Sequence, residues 1–324
     1  MNFKKILIAV TMFVAATCAF AKTKIVTTIF PEYDWTREIL GDKVSDAELT
    51  LLNGKGVDLH SYQPSFQDIA KISTADIFIY VGGESDEWVD DALKNVKNKN
   101  LKVINLMEVL GDKVKEEEIV EGMQAEEEDE HEKEGHHHHS SDEEELEYDE
   151  HVWLSVRNAK ILCGEICNAL CEVDSNNAAS YKENFKAYSA KLDKLNSDFA
   201  VAVKNGNKKT LLFGDRFPFR YFVDDYGLKY YAAFVGCSAE TEASFETIIF
   251  LAKKVDELGL NAVCQIESGN GKIAQTIINS SKKKNAKIIT FDSLQSTTTN
   301  DVKKGTTYLS VMQKNLEILK EALK

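Results

Sequence analysis

A histidine-rich acidic tract is the part of this sequence with the most evident chemistry. Four consecutive histidines, His136 to His139, stand between Lys115 and Glu150 together with His131. The same stretch holds 18 acidic residues and two lysines, so it accounts for the whole net charge of −14. Imidazoles and carboxylates on a solvated chain are loose ligands for divalent cations, and we interpret the tract as metal-handling. An expression tag and a disordered acidic linker that binds no metal are the alternatives.

Two further histidines are candidates for a tighter site. His60 stands in the segment DLHSYQP (58–64), after a predicted strand, where a loop at the carboxyl end of a parallel sheet would reach a cleft. His151 stands in DEHVWLS (149–155), where the acidic tract returns to ordered sequence. In both segments an aromatic residue follows the histidine two positions later. A lone histidine is more often structural than a ligand, so a metal site requires the fold to bring the two together.

The elements that must position these residues form two α/β halves. Short apolar runs alternate with helical patterns along the chain, which is typical of βα units with mostly parallel sheets. We therefore predict two lobes, each with a four-stranded, mostly parallel sheet flanked by helices. The predicted strands are Lys24–Phe30, Ala47–Leu52, Ile77–Val81, Val103–Leu106, Thr210–Phe213, Tyr230–Phe234, Ala262–Ile266 and Ile288–Phe291.

One long helix is predicted to join the lobes. Residues 174–206 contain no proline, and no glycine before Gly206. An apolar seam at spacings of three and four runs along them, on a helix of about 30 residues and ~45 Å. The predicted organisation is thus a first lobe (22–173, with 115–150 as a disordered acidic loop), the rigid linking helix, and a second lobe (207–324). A coiled-coil partner is the rival explanation of the seam, whose members are Tyr181, Phe185, Tyr188, Leu192, Leu195 and Phe199.

The first 21 residues have the pattern of a secretory signal peptide. Lys4 and Lys5 precede an apolar run, and Ala19-Phe20-Ala21 is a small-x-small cleavage site. We expect cleavage after Ala21 and a periplasmic or otherwise extracytoplasmic mature protein. Lipid anchoring at Cys18 is the alternative.

Three of the remaining cysteines recur every four residues and so lie along one stripe of a helix. We predict that Cys163, Cys167 and Cys171 pack in the core, since free cysteine is a favoured buried residue, and that they do not form a thiolate metal site. With Cys237 and Cys264, the odd number of thiols in the mature chain gives no clear disulfide framework.

The segments around the two histidines resemble those of a known family, the metal-specific solute-binding proteins of ABC importers for zinc and manganese (ZnuA/TroA type). His60-x-Tyr62-x-Pro64 is similar to the first-ligand motif of that family, and His151-x-Trp153-Leu154-Ser155 is similar to the second. In the second half, Glu242-x-Ser244 and Phe291-Asp292-Ser293-Leu294 resemble two further motifs, of which the latter often gives the last ligand. The resemblance covers essentially the whole mature chain.

This resemblance implies a function. His60, His151 and Asp292 would bind one cation in the cleft between the lobes, with Zn²⁺ expected and Mn²⁺ possible. The protein would be a monomer, and its partner would be the membrane permease of the importer. The acidic histidine-rich insertion ahead of the second ligand is typical of the zinc-preferring branch, and it would act as an auxiliary zinc collector.

The sequence also departs from the family pattern. Family members usually have a histidine, and sometimes a glutamate, at the start of the second lobe, ahead of a Tyr-Phe pair, and Gly214 in FGDRFPFRYF (213–222) is read at that position. Glycine has no donor atom, so the third ligand must come from elsewhere or from water. The candidates that remain open are Asp215, Cys237, Glu240 and Glu267.

Other classes of function fit less well. The chain has no His-Glu-x-x-His pair, no Gly-x-Ser-x-Gly elbow and no Gly-x-Gly-x-x-Gly loop, so we expect no enzyme. The acidic balance and the lack of a basic patch disfavour nucleic-acid binding. The remaining rival is a metal-storage or adhesin protein in which the acidic tract is the working part.

Overall fold

Two lobes built from βα units make up the described part of the chain, residues 22–124, 147–238 and 242–324 of a computed structural model. The predicted signal peptide, Cys18, Glu240, His131 and His136–His139 lie outside these residues. The first lobe contains strands β1 (Thr23–Thr27), β2 (Ala47–Leu51), β3 (Ile77–Tyr80) and β4 (Lys102–Asn105). The second contains β5 (Thr210–Phe217), β6 (Lys229–Val235), β7 (Ala262–Ile266) and β8 (Lys287–Phe291).

Both sheets have the same topology. Their strand orders are β2-β1-β3-β4 and β6-β5-β7-β8, and every pairing is parallel. All eight predicted strands are present, and the prediction of two four-stranded parallel sheets is confirmed. In each sheet the strand order reverses beside the first strand, and the carboxyl ends of strands at such a point form a crevice in which ligands bind.

Helices cover both sheets. In the first lobe they are α1 (Phe30–Leu40), α2 (Phe66–Ser73), α3 (Trp88–Lys94), α4 (Leu106–Leu110) and α5 (Val156–Val173). The linking helix is α6 (Ala178–Asn205). The second lobe has α7 (Arg220–Tyr226), α8 (Phe245–Leu258), α9 (Lys272–Ser280), α10 (Thr299–Lys303) and α11 (Tyr308–Ala322). None of the described helices combines the length and the apolar character needed to cross a bilayer.

The predicted seam of α6 packs against both lobes. The helix contacts α1 and α5 of the first lobe and α11 of the second. Five of its six seam residues are buried, and Phe185 packs against them half-buried. Since the seam is covered within the molecule, it needs no coiled-coil partner. The cysteine stripe is also in the core, where Cys163 and Cys167 are buried.

Buried hydrogen bonds tie the lobes together close to the second candidate histidine. The indole Nε1–H of Trp153 donates to the carbonyl of Ser293 at 2.9 Å, and the hydroxyl of Tyr308 donates to the carbonyl of Trp153 at 2.8 Å. The backbone N–H of Tyr308 donates to the Asp34 carboxylate at 2.7 Å. One hydrophobic cluster contains all of these aromatic residues and extends into both lobes.

Both ends of the acidic tract belong to the folded body. The N–H of Glu117 donates to the carbonyl of Glu147 and the N–H of Asp149 to that of Lys115, each at 2.9 Å. Residues 115–117 and 147–149 therefore pair as a short antiparallel ladder. Residues 115–124 and 147–150 are ordered, so the predicted disordered loop is too long at both ends, and residues 125–146 lie outside the described part of the chain.

Candidate metal centre

The fold brings the two candidate histidines face to face. His60 lies in a single 3₁₀ turn, Leu59–Ser61, in the loop after β2, and His151 directly precedes another, Val152–Leu154. Their Nε2 atoms are 3.2 Å apart. Two Zn–N bonds of ~2.05 Å at the tetrahedral angle would place the nitrogens ~3.3 Å apart, so the spacing is close to what one zinc ion requires.

A carboxylate orients His151. Its Nδ1 lies 3.1 Å from Oδ1 of Asp149, and its side chain is fully buried. When Nδ1 carries the proton and donates to Asp149, the lone pair of Nε2 is free for a metal ion. The imidazole also lies against the backbone of Gly236, where a Cβ would be 3.0 Å from the ring, so a side chain at position 236 would have to push the imidazole aside by a few tenths of an ångström.

His60 is oriented from the loop after β3. Its Nδ1 is 2.7 Å from Oγ of Ser85 and 3.4 Å from Oε2 of Glu150. Glu150 is in turn held by the backbone N–H of Ser85, which donates to its Oε1 at 2.8 Å. Both imidazoles thus engage Nδ1 with protein partners and direct Nε2 to the same point.

The two imidazoles differ in how readily they take up a proton. Burial, with the neighbouring His151 and Arg216, lowers the pKa of His60 to about 3. Burial also disfavours a charged His151, but the carboxylates of Asp149, Glu150 and Asp58 together outweigh that cost, with Asp149 first among them, and the pKa of His151 is raised. A neutral His60 is ready to bind a cation at neutral pH, whereas a cation at His151 must displace a proton as the solution is acidified.

Cys237 is the third potential ligand beside the histidines. Its Sγ and one nitrogen of each imidazole lie within 4.8 Å of one another, and no other such group of three occurs among the described residues. Burial and the carboxylates of Glu117, Asp149 and Glu150 raise the pKa of the thiol, so it is protonated until a metal ion displaces the proton. Of the three open candidates that the structure describes, Asp215, Cys237 and Glu267, the fold thus places Cys237 beside the histidines.

An ion pair between the lobes borders the site. Nη2 of Arg216, from β5, lies 2.6 Å from Oδ2 of Asp58, and Oδ1 of Asp58 lies 4.0 Å from Nε2 of His60. Although burial opposes ionisation, the Arg216 guanidinium holds the pKa of Asp58 below its usual value. The second lobe therefore presents a fixed positive charge to His60, paired with a carboxylate of the first lobe.

Asp292 lies at the edge of the second sheet, directly after β8. Its carboxylate accepts the N–H of Leu294 at 2.8 Å, and burial together with the nearby charge of Glu267 raises its pKa to about 6. It is not a member of the close group with His60 and His151. Glu267 itself accepts hydrogen bonds from Ser293 and Ser296. Asp292 is linked to the site through its neighbour Ser293, whose carbonyl binds Trp153, and its role as a ligand stays a prediction.

Position 214 does not face the two histidines. A Cβ there would lie 2.6 Å from Cα of Ala274, so the residue must be glycine to let α9 pack against β5. The expectation that Gly214 stands where a ligand is missing is therefore wrong, because its absent side chain would point into the second lobe. The neighbouring candidate Asp215 is also engaged locally, since it accepts the N–H groups of Arg216 and Ile266.

Sequence reasoning overlooked a repeated pattern around the site. An aspartate precedes each histidine by two residues, and in both cases its Oδ1 accepts the N–H of that histidine, at 3.2 Å for Asp58 and 2.8 Å for Asp149. The Asp-x-His spacing was visible in the sequence. No local signal could have shown that Ser85 or Arg216 would reach the same place.

The fold and this group of side chains define a class: a two-lobed α/β protein with a candidate metal centre at the junction of its lobes. The family model of the periplasmic zinc-uptake complex component A, ZnuA, matches residues 25–322, and the chain belongs to this family.

Relatives with similar sequences belong to the same family. The zinc-binding lipoprotein AdcA of Streptococcus pneumoniae strain R6 is 31% identical over 303 residues, which are 94% of this chain and 56% of AdcA. The chain thus spans about half the length of this relative. The high-affinity zinc uptake system protein ZnuA of Bacillus subtilis strain 168 is 30% identical over 302 residues, 93% of this chain and 88% of that protein.

Solved structures agree as well. The crystal structure of the Zn(II)-bound ZnuA-like domain of Streptococcus pneumoniae AdcA is similar to this fold with a TM-score of 0.67 and 28% identity. The match covers 93% of this chain and 99% of that domain.

Proposed function

We propose that this protein is the extracytoplasmic zinc-binding component of an ABC importer. It captures Zn²⁺ between its lobes and delivers the ion to a membrane permease. The observation that carries the proposal is the 3.2 Å approach of the Nε2 atoms of His60 and His151. Without a metal ion the two Nε2 atoms can share at most one N–H···N hydrogen bond, and only if one ring carries its proton on Nε2, whereas a shared cation uses both lone pairs while each Nδ1 keeps its protein partner.

In this proposal the ion has ligands from both lobes. His60 and His151 supply two nitrogens from the first lobe, and Cys237 and the predicted Asp292 complete four positions from the second. Two imidazoles and a thiolate favour Zn²⁺ over Mn²⁺, which prefers hard oxygen ligands. The names of the AdcA and ZnuA relatives, which refer to zinc binding and zinc uptake, support the same cargo.

The acidic histidine-rich tract has an auxiliary role in the proposal. It collects zinc weakly and raises the local concentration of the ion at the lobes. Both ends of the tract belong to the ladder beside Asp149, so the tract begins and ends close to the proposed site.

The proposal is tested by removing the tract without disturbing its ordered ends. Residues 125–146 are replaced by a Gly-Ser linker of equal length, and Zn²⁺ binding is measured by calorimetry with a competing chelator. We expect one tight, saturable site. In that background His60→Ala and His151→Ala should each weaken zinc binding at this site at least 100-fold. Loss of a metal ligand should cost more than loss of a residue that hydrogen-bonds to a ligand, which typically lowers metal affinity ~10–100-fold.

The matched control is Asn158→Ala, because Asn158 lies in the same first lobe and its side-chain amide donates to a backbone carbonyl, that of Val152, rather than to a candidate ligand. Its zinc affinity should be unchanged. A linker variant that binds no zinc tightly would instead favour a storage protein whose working part is the tract.

A further inference from the structure

A second acidic compartment adjoins the proposed zinc site. A cavity of about 240 Å³ is bordered by His60 and Cys237 and by four glutamates, Glu84, Glu117, Glu147 and Glu150. No lysine or arginine lines it in the described part of the chain. The cavity touches the more accessible of the two histidines, since the His60 side chain is 14% exposed and that of His151 is fully buried.

One carboxylate oxygen in this cavity has no hydrogen-bond partner. Glu150 is only 2% exposed, and its Oε2 makes no hydrogen bond; the nearest imidazole nitrogen, Nδ1 of His60, is 3.4 Å away. A second oxygen, Oε1 of Glu117, is also buried without a hydrogen bond of good geometry, although the Cys237 thiol interacts with the same carboxylate group. Buried carboxylate oxygens are costly unless they are paired, and a cation or its water shell would satisfy both.

The spacing of the carboxylates indicates how such a cation would be held. Among the described residues only His60, His151 and Cys237 bring three potential ligand atoms within 4.8 Å of one another. The glutamates are therefore too far apart to replace the hydration shell together. Six waters occupy ~180 Å³ at ~30 Å³ each, so a hydrated ion fits the cavity.

We propose that this cavity is a second divalent-cation site, which holds a hydrated ion through water-mediated contacts to the glutamates and passes it to His60. The inference rests on the proposed zinc function, whose site is the destination of the ion. The cavity is bordered on one side by Glu147, the first described residue after position 146, and on another by His60. The ion keeps its water shell in the cavity and exchanges it for protein ligands only when it passes to His60.

The test compares two pairs of Glu→Gln substitutions in a protein whose five tract histidines are changed to asparagine. The test pair is Glu117→Gln with Glu147→Gln, and the control pair is Glu116→Gln with Glu121→Gln. The control glutamates are exposed, belong to the same segment and do not line the cavity. Both pairs change the net charge equally, and thermal unfolding confirms that each variant is folded.

The readout is the rate of Zn²⁺ association, followed by stopped-flow fluorescence. Trp153 is a built-in reporter, since its ring lies 5.2 Å from that of His151. Two unit charges near the path of a divalent ion should slow association about fivefold to tenfold at ~10 mM ionic strength, and about twofold at 0.15 M. We expect this for the test pair only, with an unchanged rate of zinc release into a chelator.

Equal slowing by both pairs would assign the effect to net charge and overturn the proposal. A changed release rate with unchanged association would also overturn it, because the glutamates would then act on the bound ion. Glu147→Gln alone, at an exposed side chain, gives a second variant with little risk to folding. His60→Ala separates the two hypotheses: if tight binding persists in it, the zinc site itself is wrong.

Discussion

The carboxylate behind His151 offers a sharp test of the metal centre. Asp149→Asn keeps the size of the side chain and an oxygen that can accept from Nδ1, but it removes one negative charge 3.1 Å from the ring. A cation on Nε2 would lie roughly 6 Å from that charge, and the lost attraction is about 1.4 kcal/mol at the dielectric constant of water and ~5.5 kcal/mol at an effective value of 20. Residues that hydrogen-bond to metal-bound histidines typically change metal affinity ~10–100-fold, and the corresponding free energy lies at the lower end of this range. We therefore expect zinc affinity to fall 10- to 100-fold.

The dependence of this loss on pH provides the stricter test. Asp149 also favours the proton on His151, whose pKa it raises against the effect of burial. The zinc ion and a proton compete for Nε2, and removing the carboxylate weakens the binding of both. The loss of zinc affinity should therefore be largest at neutral pH and should shrink on acidification. Chelator competition between about pH 5 and pH 8 measures this, since histidine titrates near ~6.5. The matched control is Asp193→Asn, which removes the same charge from an exposed position bound to Lys160. An unchanged affinity, or a loss that is independent of pH, would refute the assigned role of Asp149.

Three further predictions follow from other parts of the structure. Cys237→Ala should weaken zinc binding in chelator competition, whereas Cys163→Ala should not, because Cys163 is fully buried in the core. Burial raises the pKa of Asp86 to about 7, and a raised carboxyl pKa stabilises the fold at low pH and loses that effect as the pH rises. The free energy of unfolding should be measured in urea titrations for the natural protein and for Asp86→Asn at each pH. The value for the natural protein minus that for the variant should fall by up to ~4 kcal/mol between about pH 4 and pH 7. Gly214→His should lower stability by ~1–3 kcal/mol without any gain in zinc affinity, because its side chain would meet Ala274.

The fold could be predicted from the sequence because its signals are local and repeated. Each strand is a short apolar run, and parallel pairing follows from the helical patterns between the runs. The seam of α6 gave the linking helix and its contacts with both lobes. The ends of the strands are harder to predict. Strand β5 continues to Phe217, whereas the prediction ends at Phe213, because its last residues pair with β6 after an irregularity in the register.

The site could be predicted only in part. His60 and His151 carry recognisable neighbours, and the structure places them together, although 91 residues separate them. The third position could not be predicted, because the register of β5 shifts between Phe213 and Arg216, and sequence does not show such an irregularity. A Cβ at position 214 would meet Ala274 of α9, while Arg216, two residues later, reaches Asp58.

The contacts between the lobes limit how far the proposed zinc binding can change the shape of the protein. Trp153 and Tyr308 already join the lobes by buried hydrogen bonds that involve no metal ligand, and Arg216 pairs with Asp58 across the junction. A cation is therefore not needed to hold the lobes together, and a large hinge opening would break several buried polar contacts at a cost of about 1–3 kcal/mol each. A ligand shifts a conformational equilibrium only by its different affinity for the two states. The difference between the empty and the loaded protein should consequently be local. We expect it in the loop of His60 and in the Arg216–Asp58 pair, where the charge of an arriving cation acts directly.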